Sequence, residues 1–78
     1  MNFKPKNEKE ALALELASRL SDLTNLRLYI SYAYKYPEGV LRKSLGEAME
    51  VPFRNIKKSR GALFNHLVQK YAKEDIRD

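Results

Sequence analysis

The chain contains no cysteine. That excludes a disulfide scaffold, a thiolate metal site and a cysteine nucleophile, and it fits a reducing compartment. No run of about 18 apolar residues occurs, so no segment reads as a membrane span. Met1-Asn2-Phe3-Lys4-Pro5-Lys6 leads into charged residues, not into the apolar core of a signal peptide, and the expected location is the cytoplasm. Histidine occurs once, as His66. It has no second histidine or cysteine to complete a metal set, so no metal and no cofactor is expected. Neither glycine-rich phosphate loop, the mononucleotide or the dinucleotide type, is present. Ser44 and Ser59 have no evident base beside them, and the acids Glu47 and Glu50 read as a solvated helix pair. The chain is therefore not expected to be an enzyme. Strand alternation, internal repeats and low-complexity tracts are also missing.

The 78 residues, 44% hydrophobic and 32% charged, make one globular domain. A chain of this size buries only about 60–65% of its unfolded surface. Each apolar stripe is thus needed in the core or in an interface.

The stripes recur at helical spacing. Residues 1–7 read as a flexible arm, and a single helical domain is expected over residues 8–75. Asn7 and Glu10 match a capping box, ahead of a helix over residues 8–20 whose buried stripe is Leu12, Ala13, Leu16, Ala17 and Leu20. Ser21-Asp22, or Thr24, caps a second helix over residues 23–35. Leu26, Tyr29, Ile30, Ala33 and Tyr36 line one face of it, widened by Leu28 and Tyr32 on one side and by Tyr34 on the other. So wide an apolar arc implies more than one neighbour and makes this the central helix.

Pro37 ends the second helix and can open a third over residues 37–50, with Leu41, Leu45, Ala48 and Met49 buried. Gly46 inside it marks either a close helix crossing or a tolerated glycine. Pro52 sets the next boundary. Residues 51–58 read as a loop with a short helical turn, pinned to the core by Val51, Phe53 and Ile56. Ser59 caps a fourth helix over residues 60–74, with Leu63, Phe64, Leu67, Val68, Tyr71 and Ala72 inward. The fold class is all-α, a small compact bundle of three or four helices.

The net charge is +5, and it is unevenly placed. Residues 1–50 carry eight Lys/Arg and seven Asp/Glu. Residues 51–73 carry Arg54, Lys57, Lys58, Arg60, Lys70 and Lys73 and no acid, while Glu74, Asp75, Arg77 and Asp78 return the balance to negative. A cationic field concentrated in one stretch points to an anionic partner, most simply nucleic acid, against the alternative of a face that only keeps the protein soluble.

The expected nucleic-acid contacts are Arg54, Lys57, Lys58, Ser59, Arg60, Lys70 and Lys73. The first five lead into a helix start, where free backbone N–H groups and the dipole favour an anion. There Ser59 can donate its hydroxyl, and Gly61 can let a ligand backbone approach. Asn65, His66 and Gln69 share the exposed side of the same helix with Lys70 and Lys73. The tyrosines of the second helix are either core or an interface that could stack on unpaired bases. Leu28, Tyr32 and Tyr34 are the candidate protein interface, for a homodimer or for docking into a larger complex. No strongly basic amphipathic helix with bulky apolar anchors is present, which argues against a membrane surface as partner.

Ile56-Lys57-Lys58-Ser59-Arg60-Gly61-Ala62-Leu63-Phe64, followed by Leu67-Val68 and Tyr71, resembles a helical segment of DnaD-like bacterial replication proteins and of some phage and plasmid replication initiators. Ser59-Arg60 stands where those proteins often have Asn-Pro. The resemblance covers at most residues 24–72. It implies a segment that assists binding to single-stranded or origin DNA and helicase loading. It casts Lys57, Lys58 and Arg60 as phosphate contacts and Phe64 as core.

Overall fold

The computed structural model describes residues 3–76, with side chains through residue 74. Four α-helices follow one another: α1 (Glu8–Arg19), α2 (Leu26–Lys35), α3 (Glu38–Glu50) and α4 (Arg60–Ile76). Among the described residues there is no strand. The chain is a small all-α bundle, as the periodicities predict. It is flat, with extents of 36 × 32 × 15 Å. α1 packs chiefly against α2, and α3 against α4.

The helix starts follow the expected chemistry with one difference. Asn7 Oδ1 accepts from Glu10 N at 2.9 Å, but the Glu10 carboxylate accepts from Lys6 N, one residue upstream of the cap. Residues 3–7 lack helix, yet Phe3 is half-buried against the core, so the segment expected to be a free arm is anchored at that side chain.

α1 ends in a left-handed capping turn. Ser21 has φ 55°, its N–H donates to Ser18 O, and Asp22 N donates to Ala17 O at 2.8 Å. The expected single second helix is split by this geometry. A 3-10 turn, Leu23–Asn25, precedes α2, and neither Asp22 nor Asn25 forms a side-chain cap. Pro37, extended at φ −60° and ψ 146°, lies just outside α3 and not in its first turn.

The core joins the two helix pairs. Ala13, Ala17, Ala33 and Ala48 are almost fully buried, and their small side chains leave room for close backbone approach. Tyr29 and Phe64 are the largest fully buried side chains, with ring centroids 5.9 Å apart. Tyr32 packs on Tyr29, Tyr36 and Phe64, and its hydroxyl donates to Asn65 Oδ1. The tyrosine stripe is therefore mostly the seam between α2 and α4. α3 buries Val40 and Ser44 along with the expected Leu41, Leu45 and Ala48. Ser44 is tolerated there because its hydroxyl donates to Val40 O at 2.8 Å. Met49, expected inside, is exposed. Tyr71 ties α4 to α3 by donating to Glu47, which pushes its pKa up to about 12, and Lys43 Nζ lies 4.1 Å from its ring centroid.

Candidate nucleic-acid interface

The acid-free stretch begins at the exit from α3. Pro52 leads into a 3-10 turn, Phe53–Asn55, closed by Asn55 N donating to Pro52 O at 2.8 Å. Val51 and Ile56 are half-buried and hold the segment down. Phe53, expected to do the same, is 80% exposed. Arg54, Lys57, Lys58 and Ser59 are all exposed. Val51, Ile56 and Leu63 form the floor of a cleft of about 480 Å³ rimmed by Lys57, Lys58, Ser59 and His66.

The start of α4 is used differently from the expectation. Ser59 Oγ accepts from Ala62 N at 3.0 Å, so it is the expected cap and its oxygen serves the helix. A Cβ at Gly61 would lie 2.8 Å from Asp22 Oδ2 and 3.0 Å from Tyr29 Oη. What approaches Gly61 closely is therefore this chain's own Asp22, not a ligand backbone. That carboxylate accepts from Tyr29 Oη at 2.6 Å and from Asn25 Nδ2 at 3.0 Å. An anion of the protein itself already stands at the positive end of α4.

Arg60 also departs from its expected role. Its Nη1 donates to Ala48 O at 2.7 Å and to Val51 O at 2.9 Å. These carbonyls belong to the end of α3, which has no basic residue in its last turn. A guanidinium there satisfies orphan acceptors and offsets the negative dipole end. Arg60 is thus a clamp between α3 and α4, and it also lies over the Phe53 ring, 5.9 Å from the centroid.

α4 carries the rest of the strip. Ala62, His66, Gln69, Lys70 and Lys73 recur at three- and four-residue spacing and are all exposed. From Ala62 to Lys73 the strip runs about 17 Å along the helix. Gln69 donates to Tyr36 Oη at 3.1 Å, which orients that edge toward α2. His66 borders both the cleft and the shallow depression lined by Gln69, Lys70, Lys73 and Glu74, so the two groups of cations adjoin, with Glu74 at the far end. The ion pairs among the described residues, Arg19–Glu15, Arg42–Glu15 and Arg42–Glu38, all lie on α1 and α3. None engages Arg54, Lys57, Lys58, Lys70 or Lys73.

The three residues expected to form a protein interface do not form one surface. Leu28, 42% exposed, borders a cleft of about 570 Å³ with Phe3, Leu23 and Ile30. Tyr32 is packed into the α2–α4 seam. Tyr34, 52% exposed, lies on the other side of α2, where its hydroxyl accepts from Asn7 Nδ2 at 2.8 Å. The signal missed in the sequence is Phe53, the most exposed of the large hydrophobic side chains.

No group of His, Cys, Asp or Glu among the described residues could hold a metal ion, and no described helix is long and apolar enough to cross a membrane. No protein-family model, no curated protein and no solved structure matches the chain.

Proposed function

We propose that this domain is a non-enzymatic nucleic-acid-binding module, and, on the resemblance of residues 56–71 to DnaD-like segments, a replication accessory of the cytoplasm. One observation carries the reading: Arg54, Lys57, Lys58, Lys70 and Lys73 are exposed, run along one loop and one helix, and have no acid paired with them among the described residues. Opposite charges elsewhere in the chain are interleaved and partly paired. A face that served solubility alone would not need its cations gathered in this way. Flexible lysines on a loop and a helix suit phosphate contacts, which fix position and set affinity without reading sequence. Arg60 and Ser59 hold the loop and helix start in place beneath them.

Fluorescence anisotropy against labelled single-stranded DNA, duplex DNA and RNA tests this. Binding is expected to be micromolar or tighter at low salt and to weaken as salt rises. On duplex DNA the slope of log K against log salt scales as about 0.9 for each phosphate that the protein neutralises. Lys57→Glu combined with Lys58→Glu should therefore flatten the slope by about 2 and weaken binding to every sequence. Unchanged affinity and slope would remove the loop from the interface.

A second reading is favoured by the cleft beside Leu23 and Leu28: a helical protein-interaction module, as a homodimer or as the docking domain of a larger complex. Absence of nucleic-acid binding at low salt, together with concentration-dependent sedimentation, would transfer the function to it.

A further inference from the structure

We infer that Phe53 is a stacking platform for an unpaired nucleobase, so that the domain prefers single-stranded over duplex nucleic acid; this rests on the nucleic-acid reading above. The tyrosines that could have stacked on bases are largely committed. Tyr29 is fully buried, Tyr32 fills the α2–α4 seam, and the Tyr34 hydroxyl is held by Asn7 on the side of α2 away from that seam. Phe53 is not committed. It is 80% exposed on a 3-10 turn of three residues, beside Arg54 and just before Lys57 and Lys58.

An aromatic ring left this far in water is unfavourable unless it has a partner, and its surroundings limit what the partner can be. Glu50 is the one acid close to Phe53 in the chain, and Arg54, Lys57, Lys58 and Arg60 outnumber it, so the complementary partner is a polyanion. The ring itself has no hydrogen-bonding group, so it can offer only its face. Arg60 covers one side of that ring, and the Arg60 guanidinium is in turn fixed by the carbonyls of Ala48 and Val51. The ring thus has a fixed cation on one side, 5.9 Å from its centroid, and is otherwise largely open to solvent. A base stacked in a duplex has no free face to present to it, whereas a base in a single strand has. Every base has such a face, so this contact tolerates any sequence.

The chain has no tryptophan, so Phe53→Trp introduces a single fluorophore at the site. The variant of the 78-residue chain would be titrated with oligothymidylate and with an abasic strand carrying the same number of phosphates. Stacking predicts strong quenching of the indole by oligothymidylate and little by the abasic strand. In parallel, Phe53→Ala and Phe53→Leu should each lose about 5- to 150-fold in affinity for oligothymidylate, the range for one stacked base. Duplex affinity and melting temperature should stay unchanged in both. Equal quenching by the two strands, or undiminished oligothymidylate binding by Phe53→Ala, would overturn the stacking role while wild-type binding to polyanions left the broader reading standing. A wild-type chain that binds no strand at low salt would overturn both.

Discussion

Residues 20–25 carry the chain from α1 into α2, and residues 51–59 carry it from α3 into α4. The first connection runs from the buried Leu20 to the buried Leu26, and several of its polar groups are used internally. Ser21 and Asp22 bond back to α1 through their N–H groups, and the Asp22 carboxylate serves both Tyr29 and Asn25. The second connection is pinned only by half-buried Val51 and Ile56. It turns an aromatic ring and three cations outward and contains no acid of its own, Glu50 standing just before it. The first connection thus spends its hydrogen-bonding groups chiefly on the fold and leaves an apolar side chain, Leu23, at the surface. The second connection leaves an apolar ring and several unpaired cations in solvent, the combination on which the proposed binding role rests.

The largest expected effect tests the one cation that crosses this division. Arg60 follows the outward-facing segment in the chain but acts as the residues of the first connection do. Arg60→Ala leaves the carbonyls of Ala48 and Val51 without their charged donor and should cost about 2–3 kcal/mol. In a domain of this size each kcal/mol moves the melting temperature by about 4–8 °C. Calorimetry should therefore show a clear drop, while nucleic-acid affinity measured well below the transition changes little. The reverse result, full stability with weakened binding, would make Arg60 a phosphate ligand and place it with the outward-facing cations.

Gly61 and Gly46 offer a smaller test with opposite signs. Both lie inside helices, where alanine is favoured over glycine by up to about 1 kcal/mol. Nothing lies within 4 Å of a Cβ added at Gly46, which also excludes the close helix crossing that its presence in α3 could have marked. Gly46→Ala should raise the melting temperature. A Cβ at Gly61 must displace the Asp22 carboxylate or the Tyr29 hydroxyl, two groups bonded to each other. Overpacking there should outweigh the helix preference, for a net loss of about 1–2 kcal/mol. Stabilisation by both substitutions would mean that the Asp22–Tyr29 pair is free to move, and that the first connection is looser than its bonds indicate.

Most of the fold could be read from the chain because it depends on local spacing. Leu12, Leu16 and Leu20 announce α1, Asn7 and Ser59 announce two helix starts, and Pro37 and Pro52 set two boundaries. The candidate site was only half legible. The cluster of cations is visible in the sequence, but the role of each depends on what the fold brings beside it. Arg60 reads like Lys57 or Lys58 until the end of α3 is placed within reach of its guanidinium. Gly61 reads as room for a ligand until Asp22, far away in the chain, fills that room. Phe53 reads as a core anchor because apolar residues usually are; that three residues of a loop compete for two inward positions is decided only by its curvature. The exposed ring is a local inconsistency between sequence pattern and fold, and the stacking proposal rests on it.

The smallest expected effect lies at Ser21, where the first connection departs from ideal chemistry. Its φ of 55° is left-handed, a region that costs an ordinary residue roughly 1–2 kcal/mol and that glycine enters freely. Ser21→Gly removes that strain but gives the unfolded chain more freedom, which offsets part of the gain. The net result should be stabilisation by about 0.5–1 kcal/mol, a rise of a few degrees in melting temperature. Nucleic-acid affinity should not change, because Ser21 lies in the first connection, outside the proposed interface, and its N–H is used inside the fold. Stabilisation without any change in binding would separate the two connections cleanly, one setting stability and the other affinity. A lower melting temperature would mean that the serine side chain, and not the two backbone bonds of Ser21 and Asp22, holds the turn. The first connection would then not be a backbone-capped closure, even with the outward-facing segment unchanged.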